Sequence, residues 1–218
     1  MTPNVLIDFA DPRESAGARL RFRAAAPRAT LVARALHEVR GVLGHGAWAD
    51  GSRWSRVIAR RLARGIPVVA VQNPTTSLAS DVAAARVAIE AAPGPVVLAG
   101  HSWGGTVITE AGNHPKVKAL VYVAAFAPDA GQSTGDQVAA HPAPPGLGGV
   151  QDDGAGHLWM STESWIANIA QDLPETEARL LAAVQGPLGQ ATFGDKVSKP
   201  AWADRPNWYV VSSEDRAV

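Results

Sequence analysis

The sequence predicts an α/β fold in which helices flank a mostly parallel sheet, and three observations support this. From residue 39 onward, short apolar runs alternate with amphipathic segments, a pattern typical of strands and helices in a parallel α/β sheet. The length of 218 residues suits one domain with a substantial core. A long insertion precedes the last apolar run. Such an insertion at the carboxyl end of a strand predicts a cover over a ligand site, because ligands in open α/β sheets bind at that edge.

Five apolar runs are predicted to form the sheet. Each is short and is followed by Gly, Pro or polar residues. In chain order, the predicted strands are residues 39–43, 67–71, 95–99, 117–127 and 207–213. The α/β core is therefore predicted to comprise residues 39–128 and 201–218.

Segments with apolar residues three and four positions apart are predicted to be helices. The predicted helices are residues 52–65, 77–94 and 106–112 in the core and residues 162–173 and 174–184 in the insertion. The insertion, residues 129–200, is therefore predicted to be a helical lid. The first 38 residues are rich in arginine and alanine and fit a helix, a strand or a disordered segment equally well. Residues 1–38 are left unassigned.

Composition excludes several classes of function. Lys plus Arg and Asp plus Glu number 20 each, so no net charge favours nucleic acid or an anionic membrane. The absence of cysteine excludes disulfides, thiolate metal ligands and a cysteine nucleophile. No window approaches the roughly 20 apolar residues that span a bilayer, and the N-terminus lacks the features of a secretory signal. We expect a cytoplasmic monomer or homodimer that binds neither nucleic acid nor membrane.

The segment VVLAGHSWGGTVI, residues 96–108, predicts a nucleophile elbow. Gly100, Ser102 and Gly104 form the pattern G-x-S-x-G between a strand and a helix. Small residues are required there because the strand reverses sharply into the helix and larger side chains would collide. The alternative is a phosphate-binding loop in which Ser102 caps the helix. That loop would need a Lys followed by Ser or Thr, and GHSWGGT has no Lys.

The segment HGAWADGS, residues 45–52, is predicted to complete an oxyanion hole. It follows the first clear strand, and the predicted donors are the backbone N–H groups of Ala47 and Trp103. His45 is a candidate pocket residue, although a structural role in holding the loop is favoured because His45 precedes the elbow. Trp48 and the Trp103 side chain either line an acyl pocket or pack in the core.

The acid of a catalytic triad is predicted in WYVVSSED, just beyond the last strand. In this architecture the acid follows the serine and lies beyond a late strand. Asp215 is the first choice and Glu214 the second. Asp129, after the fourth strand, is an alternative acid, but a turn before the lid explains it equally well.

These segments together resemble the α/β-hydrolase superfamily, in particular small bacterial esterase-like hydrolases related to plant methyl esterases and hydroxynitrile lyases. The matching segments are HGAWADGS, VVAVQNP, GHSWGG, VKALVYVAAFAPDAG and WYVVSSEDRA, which span most of residues 42–218. The resemblance implies the α/β-hydrolase fold with a lid. It also implies a serine hydrolase that cleaves small carboxylic esters through an acyl-enzyme, with no metal or organic cofactor.

The resemblance further implies a catalytic histidine a few tens of residues after the acid, and no histidine follows Asp215. We therefore expect the chain to be truncated at its C-terminus. His157 in the lid is a candidate replacement base, or else a solvent-facing residue, and Trp159 is a candidate pocket residue. Without a base, a serine hydrolase keeps only about 10³- to 10⁴-fold acceleration over water.

Two other functions remain open on the sequence. A lyase that cleaves cyanohydrins shares the fold, and a lysine near the site would favour it. Lys196 and Lys199, at the end of the lid, are the candidates. A catalytically silent domain that binds a small ligand is the other function, and the missing histidine favours it.

Overall fold

The structure, a computed structural model, describes residues 6–8 and 38–218, and its strands form two sheets. The strands in chain order are β1 (Leu6–Asp8), β2 (Arg40–Gly44), β3 (Val68–Ala70), β4 (Val96–Ser102), β5 (Val117–Ala125), β6 (Val150–Asp152), β7 (His157–Met160), β8 (Leu188–Gly189) and β9 (Asn207–Val211). The main sheet has the order β1-β9-β5-β4-β2-β3, and all of its pairs are parallel. The α/β fold with a mostly parallel sheet is confirmed.

All five predicted strands lie in this main sheet, and the sixth was not predicted. The sixth, β1, pairs with β9 and places Ile7 opposite Val210. It falls in the segment that the sequence left unassigned. The remainder of that segment, apart from residue 38, lies outside the described residues.

Helices connect the strands of the main sheet and cover its faces. The α-helices are α1 (Ser55–Leu62), α2 (Leu78–Glu90), α3 (Trp103–Ala111), α4 (Thr134–Ala139), α5 (Thr162–Ser164) and α6 (Glu175–Ala183). Helix α2 begins at a reciprocal cap, in which Ser77 Oγ accepts from the Ser80 N–H and Ser80 Oγ accepts from the Ser77 N–H, each at 3.1 Å. Two of the four free N–H groups at its start are satisfied in this way. No helix among the described residues is long and apolar enough to span a bilayer.

The core lies between the main sheet and these helices. Val96 and Leu98 of β4 are fully buried against Ile89 of α2 and Ile108 of α3, each with at most 1% of its surface exposed. Burial on this scale stabilises the fold by about 1.5–3 kcal/mol per large side chain. The strand at the centre of the sheet, which leads into the elbow, is therefore held rigidly.

Residues 129–200 contain more than the predicted helices. Strands β6, β7 and β8 form a small antiparallel sheet there, which the sequence analysis missed because strands of two to four residues are too short for a periodicity. The helix predicted at 162–173 is also different. It consists of α5 and a π-helix, Trp165–Ile169, and ends at Ala170.

Parallel register brings three loops to one edge of the main sheet. Gly44 at the end of β2 lies opposite Gly100 in β4, and Ser102 lies opposite Ala125 at the end of β5. Strand β9 ends at Val211 on the same edge. The loop after β2, the turn after β4 and the segment after β9 therefore meet.

Candidate active site

Ser102 occupies a strained turn between β4 and α3. Its backbone angles are φ 50° and ψ −122°, a left-handed φ that non-glycine residues rarely adopt. A Cβ on Gly104 would lie 2.5 Å from the Gly44 carbonyl oxygen, so the turn needs glycine at that position. The Ser102 side chain makes no capping hydrogen bond to α3. The geometry is that of an elbow that exposes the hydroxyl, and it disfavours the reading in which Ser102 merely caps a helix.

The loop after β2 is held by His45. The Asn73 N–H donates to His45 Nε2 at 2.9 Å, so Nδ1 carries the proton and donates to the Gly46 carbonyl at 2.9 Å. Burial lowers the pKa of His45, which keeps the imidazole neutral. His45 is 1% exposed and does not line the cavity at Ser102. This placement corrects its candidacy as a pocket residue and agrees with the structural role.

The two residues predicted to supply the oxyanion donors lie close to Ser102: Ala47 lines the same cavity, and Trp103 is the next residue in the chain. The Ala47 N–H has no backbone acceptor within residues 38–218. Trp103 is the first residue of α3, where backbone N–H groups lack intrahelical acceptors and carry the positive end of the helix dipole. The N–H groups of Ala47 and Trp103 stay the predicted oxyanion donors.

The Trp103 side chain belongs to the core rather than to a pocket. It is fully buried, and its Nε1 donates to Asp81 Oδ2 at 2.7 Å. Asp81 also accepts from the Thr75 N–H at 2.8 Å. Burial raises the pKa of Asp81, and these hydrogen bonds oppose that rise. Asp81 lies in the first turn of α2, so its hydrogen bond with Trp103 links the start of α2 to the start of α3.

A cavity of about 390 Å³ opens above Ser102. Trp48 lines it and is fixed by donation from its Nε1 to the Leu158 carbonyl at 2.9 Å and by an edge contact with Phe193 at 6.0 Å between ring centroids. The residues that line the cavity are Ala47, Trp48, His101, Ser102, Val123, Ala124, Phe126, Leu147, Asn168, Ile169, Gln171, Asp172, Phe193, Ser212, Glu214, Asp215, Ala217 and Val218. The loop after β2, the elbow, the insertion and the segment after β9 all contribute to it.

The acids predicted after β9 lie in this cavity, and the alternative acid does not. Asp215 and Glu214 both line it. Asp215 Oδ1 accepts from the N–H groups of Ala217 and Val218 at 2.8 and 3.0 Å, which fixes its carboxylate in a turn. Asp129 is instead a turn residue, because its Oδ1 accepts from the Ala130 N–H at 2.7 Å.

Two candidates in the insertion lie away from Ser102. His157, on β7, is exposed, and its Nδ1 lies 3.0 Å from Asp153 Oδ2. The Trp159 indole N–H also points to Asp153, at 3.4 Å. Neither residue lines the Ser102 cavity, so the structure does not bring His157 or Trp159 to the site. The exposed position of His157 agrees with the solvent-facing alternative that the sequence analysis gave for it, and Trp159 beside it is half-buried.

His101, adjacent to Ser102, is the histidine that the structure brings to the cavity among residues 38–218. A Cβ placed on Gly46 would lie 3.2 Å from His101 Nδ1 and 3.3 Å from Ser102 Oγ. The two atoms are therefore no more than 6.5 Å apart, the sum of these distances. Neighbouring side chains around an elbow diverge in direction, so the sequence does not indicate His101 as a base. The spacing alone could not show that both side chains border one cavity.

Burial makes His101 a source of pH-dependent stability. Burial lowers its pKa from 6.5 to about 4, with Arg53 adding to the effect and Asp215 opposing it. Between these values the unfolded chain binds a proton that the folded protein does not, so stability falls as pH falls from 6.5 toward 4. From pH 7 to pH 5, we expect His101 to account for a loss of about 2 kcal/mol in the free energy of unfolding.

Urea unfolding of the wild type and His101→Gln at pH 7 and pH 5 measures this contribution. The loss between the two pH values should be about 2 kcal/mol smaller in His101→Gln, because glutamine does not titrate. An equal loss in both proteins would show that His101 has an ordinary pKa. Other titrating groups, including His45 and Asp81, cancel in the comparison.

No metal site is recognisable in the part of the chain that the structure describes. Within it, no group of three or more His, Asp or Glu side chains is placed to hold an ion.

The fold agrees with a family assignment from the sequence. A model of the alpha/beta hydrolase family matches residues 42–218, and the chain belongs to this family. A search of curated protein sequences found no significant match.

Solved structures with this fold include several named hydrolases. An extracellular α/β-hydrolase from a Paenibacillus species, described as sharing structural and functional homology with tobacco salicylic acid binding protein 2, is 20% identical. It aligns over 83% of this chain and 80% of its own, with a TM-score of 0.70. A pyrethroid hydrolase from Sphingobium faniae JZ-2 is 21% identical, over 78% and 77% of the chains, with a TM-score of 0.64. Polyneuridine aldehyde esterase is 18% identical, over 81% of each chain, with a TM-score of 0.68. Identities this low show the fold alone.

Proposed function

We propose that the protein is a serine hydrolase that cleaves small carboxylic esters. One observation carries this proposal: Ser102, on a strained elbow, and Asp215 border the same cavity of about 390 Å³. The size suits a small organic ligand. The esterases and hydrolases among the solved structures support the reaction class. A small-molecule ester as partner, a monomer or homodimer and a cytoplasmic location stay predictions.

Catalysis would proceed through a covalent acyl-enzyme. Ser102 Oγ attacks the ester carbonyl, and the negative charge that develops on the carbonyl oxygen is stabilised by the N–H groups of Ala47 and Trp103. The Oγ–carbon bond forms as the carbonyl double bond opens to the oxyanion. The carbonyl then re-forms as the bond to the alcohol oxygen breaks, and the proton from Ser102 leaves on the alcohol. Water then attacks the acyl group, which releases the acid and returns the proton to Oγ.

His101 is the base that we propose for these proton transfers. His101 Nδ1 lies at most 6.5 Å from Ser102 Oγ. This distance is compatible with one bridging water, since two hydrogen bonds in series span about 5.5 Å. Its pKa of about 4 leaves it neutral and able to accept a proton at neutral pH. Such an imidazole is a weaker base than one with a pKa near 7, so we expect modest turnover. Asp215 would favour the imidazolium by its negative charge.

The lyase alternative finds less support at the site. The lysines that could favour it lie elsewhere. Lys199 pairs with Asp204 on the surface at 2.9 Å, and Lys196 is exposed and lines a different concavity. No lysine among the described residues lines the Ser102 cavity.

Parallel assays with 4-nitrophenyl butyrate and mandelonitrile test the proposed reaction. We expect ester hydrolysis above the buffer rate and no cyanohydrin cleavage. The value of kcat/KM should stay constant from about pH 6 to 8 and fall on approach to pH 4, because the base is the neutral form of His101. Cleavage of mandelonitrile without ester hydrolysis would contradict the proposal, and a fall centred near pH 7 would exclude His101 as the base.

A further inference from the structure

The two faces of the main sheet are covered to different degrees. Side chains alternate between the faces along each strand. On one face, Leu98 of β4 and Leu120 of β5 are fully buried. On the other, Ala99, Val121 and Trp208 are register partners on three neighbouring strands, and Trp208 is 40% exposed. This second face, here called the open face, is defined by six partly exposed apolar side chains that lie outside the core cluster: Val97, Ala99, Val121, Val123, Trp208 and Val210.

Sheets of parallel strands are normally covered on both faces, because the crossover connections between their strands run over the faces. Helices α2 and α3 pack on the buried face. The connection from β2 to β3 lies on the side of the open face, since a Cβ on Gly51 would lie 3.0 Å from Ala70 Cβ. Ala70 shares a face with Ala99 because both are register partners of Leu43. Helix α1 in this connection has no buried residue, so residues 38–218 cover the open face incompletely.

The direction of the chain indicates which face residues 9–37 cross. These residues lie outside the described part of the chain and join β1 to β2, which are parallel members of one sheet. Crossovers between parallel strands are right-handed in nearly all proteins, so crossovers that run in the same direction across a sheet lie on the same face. In the order β1-β9-β5-β4-β2-β3, the steps from β1 to β2 and from β2 to β3 run one way, and those from β3 to β4 and from β4 to β5 run the other way. A right-handed connection from β1 to β2 therefore crosses the open face.

The length of residues 9–37 matches the distance to be crossed. Strand β1 ends at Asp8, and β2 begins at Arg40 on the opposite edge of the sheet. Four strand spacings of about 4.8 Å and one strand length of about 17 Å give a diagonal of about 25 Å, which a helix of about 17 residues spans. Glu38, just before β2, has a helical backbone. Apolar residues before it recur at the spacing of one helix face: Leu31, Val32, Ala35 and Leu36.

We propose that the open face is the docking surface for residues 9–37 of the same chain. The apolar side chains of this segment pack on those of β4, β5 and β9. The docked segment supports β4, the strand that leads to Ser102, from its second face. A second copy of the chain is the competing occupant, but it reaches the open face only where the connection from β1 to β2 leaves that face free. The proposal does not depend on the reaction at Ser102.

Photo-crosslinking of the full chain tests this docking. The variant Trp208→p-benzoylphenylalanine places a photoreactive ketone on the open face, at an exposed position that already holds a large ring. The variant Val87→p-benzoylphenylalanine is the matched control, because Val87 is 69% exposed on α2, which packs on the buried face. After irradiation, denaturing electrophoresis separates monomers from crosslinked dimers. Mass spectrometry of the digested monomer then identifies the joined peptides.

We expect the Trp208 variant to be joined to a peptide from residues 9–37 within the monomer, and the Val87 variant not to be joined to that segment. Crosslinked dimers from the Trp208 variant would overturn the proposal in favour of an interface between copies. Crosslinks to residues 9–37 from both positions, or from neither, would also overturn it.

Hydrogen–deuterium exchange of the unmodified chain tests the same docking without any substitution. Amides within residues 9–37 should exchange at least about 100-fold more slowly than in an unstructured chain, because a docked segment opens only by local unfolding. Exchange throughout residues 9–37 at the unstructured rate would overturn the proposal, even if neither photoreactive variant folds. Neither measurement involves an ester, so its result leaves the proposed function untouched.

Discussion

Replacement of Ser102 by alanine is expected to lower kcat/KM for 4-nitrophenyl butyrate by about 100-fold or more. The hydroxyl is the atom that bonds to the acyl carbon, so the covalent route disappears with it. The donors Ala47 and Trp103 and the cavity itself stay in place, so KM should change little and the loss should fall on kcat. Initial rates over a range of ester concentrations separate the two parameters.

Ser213→Ala is the matched control for this variant. Ser213 is exposed and lies outside the Ser102 cavity, yet it sits two residues from Asp215. Its removal should leave kcat and KM within about twofold, as surface substitutions do. If Ser102→Ala hydrolysed the ester as fast as the wild type, hydrolysis would not occur at the elbow.

Gly105→Ala is expected to have the largest effect on stability. Gly105 lies in the first turn of α3, and a Cβ there would collide with the Phe126 carbonyl oxygen and lie 2.8 Å from the Ala125 Cβ. These atoms belong to the end of β5 and its continuation, which cannot move aside as a flexible side chain can. We expect a loss of about 3 kcal/mol in the free energy of unfolding, the upper range for overpacking in a core.

Gly148→Ala provides the comparison in urea unfolding. Gly148 is exposed, has a negative φ, and nothing lies within 4 Å of an added Cβ. Its replacement should leave stability unchanged or raise it by up to about 1 kcal/mol, because alanine narrows the unfolded ensemble. Equal midpoints for the two variants would mean that α3 and β5 are not packed as closely as the structure has them.

The sequence predicted the parts of this fold that depend on local pattern. The strand before Ser102 and the glycines after it could be predicted from residues 96–108 alone, because the glycines there are needed to avoid steric collisions at the turn. The five strands of the main sheet were found because their apolar runs are continuous and bounded by turn residues. Their alignment at one edge follows from parallel pairing, and it explains why the loop of Ala47 and the segment of Asp215 meet Ser102.

The features that the sequence could not predict depend on contacts between segments that are distant in the chain. His45 and His101 both lie beside the site, but one faces Asn73 and holds a loop while the other faces the cavity. His157 follows a turn that directs it to Asp153 and solvent. A second cavity, of about 320 Å³, is lined by residues 52–57 after β2 and by residues 169–181 of the insertion, which are more than 100 residues apart in the chain. Residue periodicity and motif spacing are local patterns, so they cannot predict such a contact.

Mass spectrometry of a quenched reaction with 4-nitrophenyl acetate tests the central claim most directly. The account predicts a protein species heavier by one acetyl group within the first turnover, with the modification on the peptide that contains Ser102. Ser102→Ala should remain unmodified under the same conditions. Release of nitrophenol above the buffer rate without any acetylated Ser102 would contradict the account, because the ester would then be cleaved without an acyl-enzyme at the elbow.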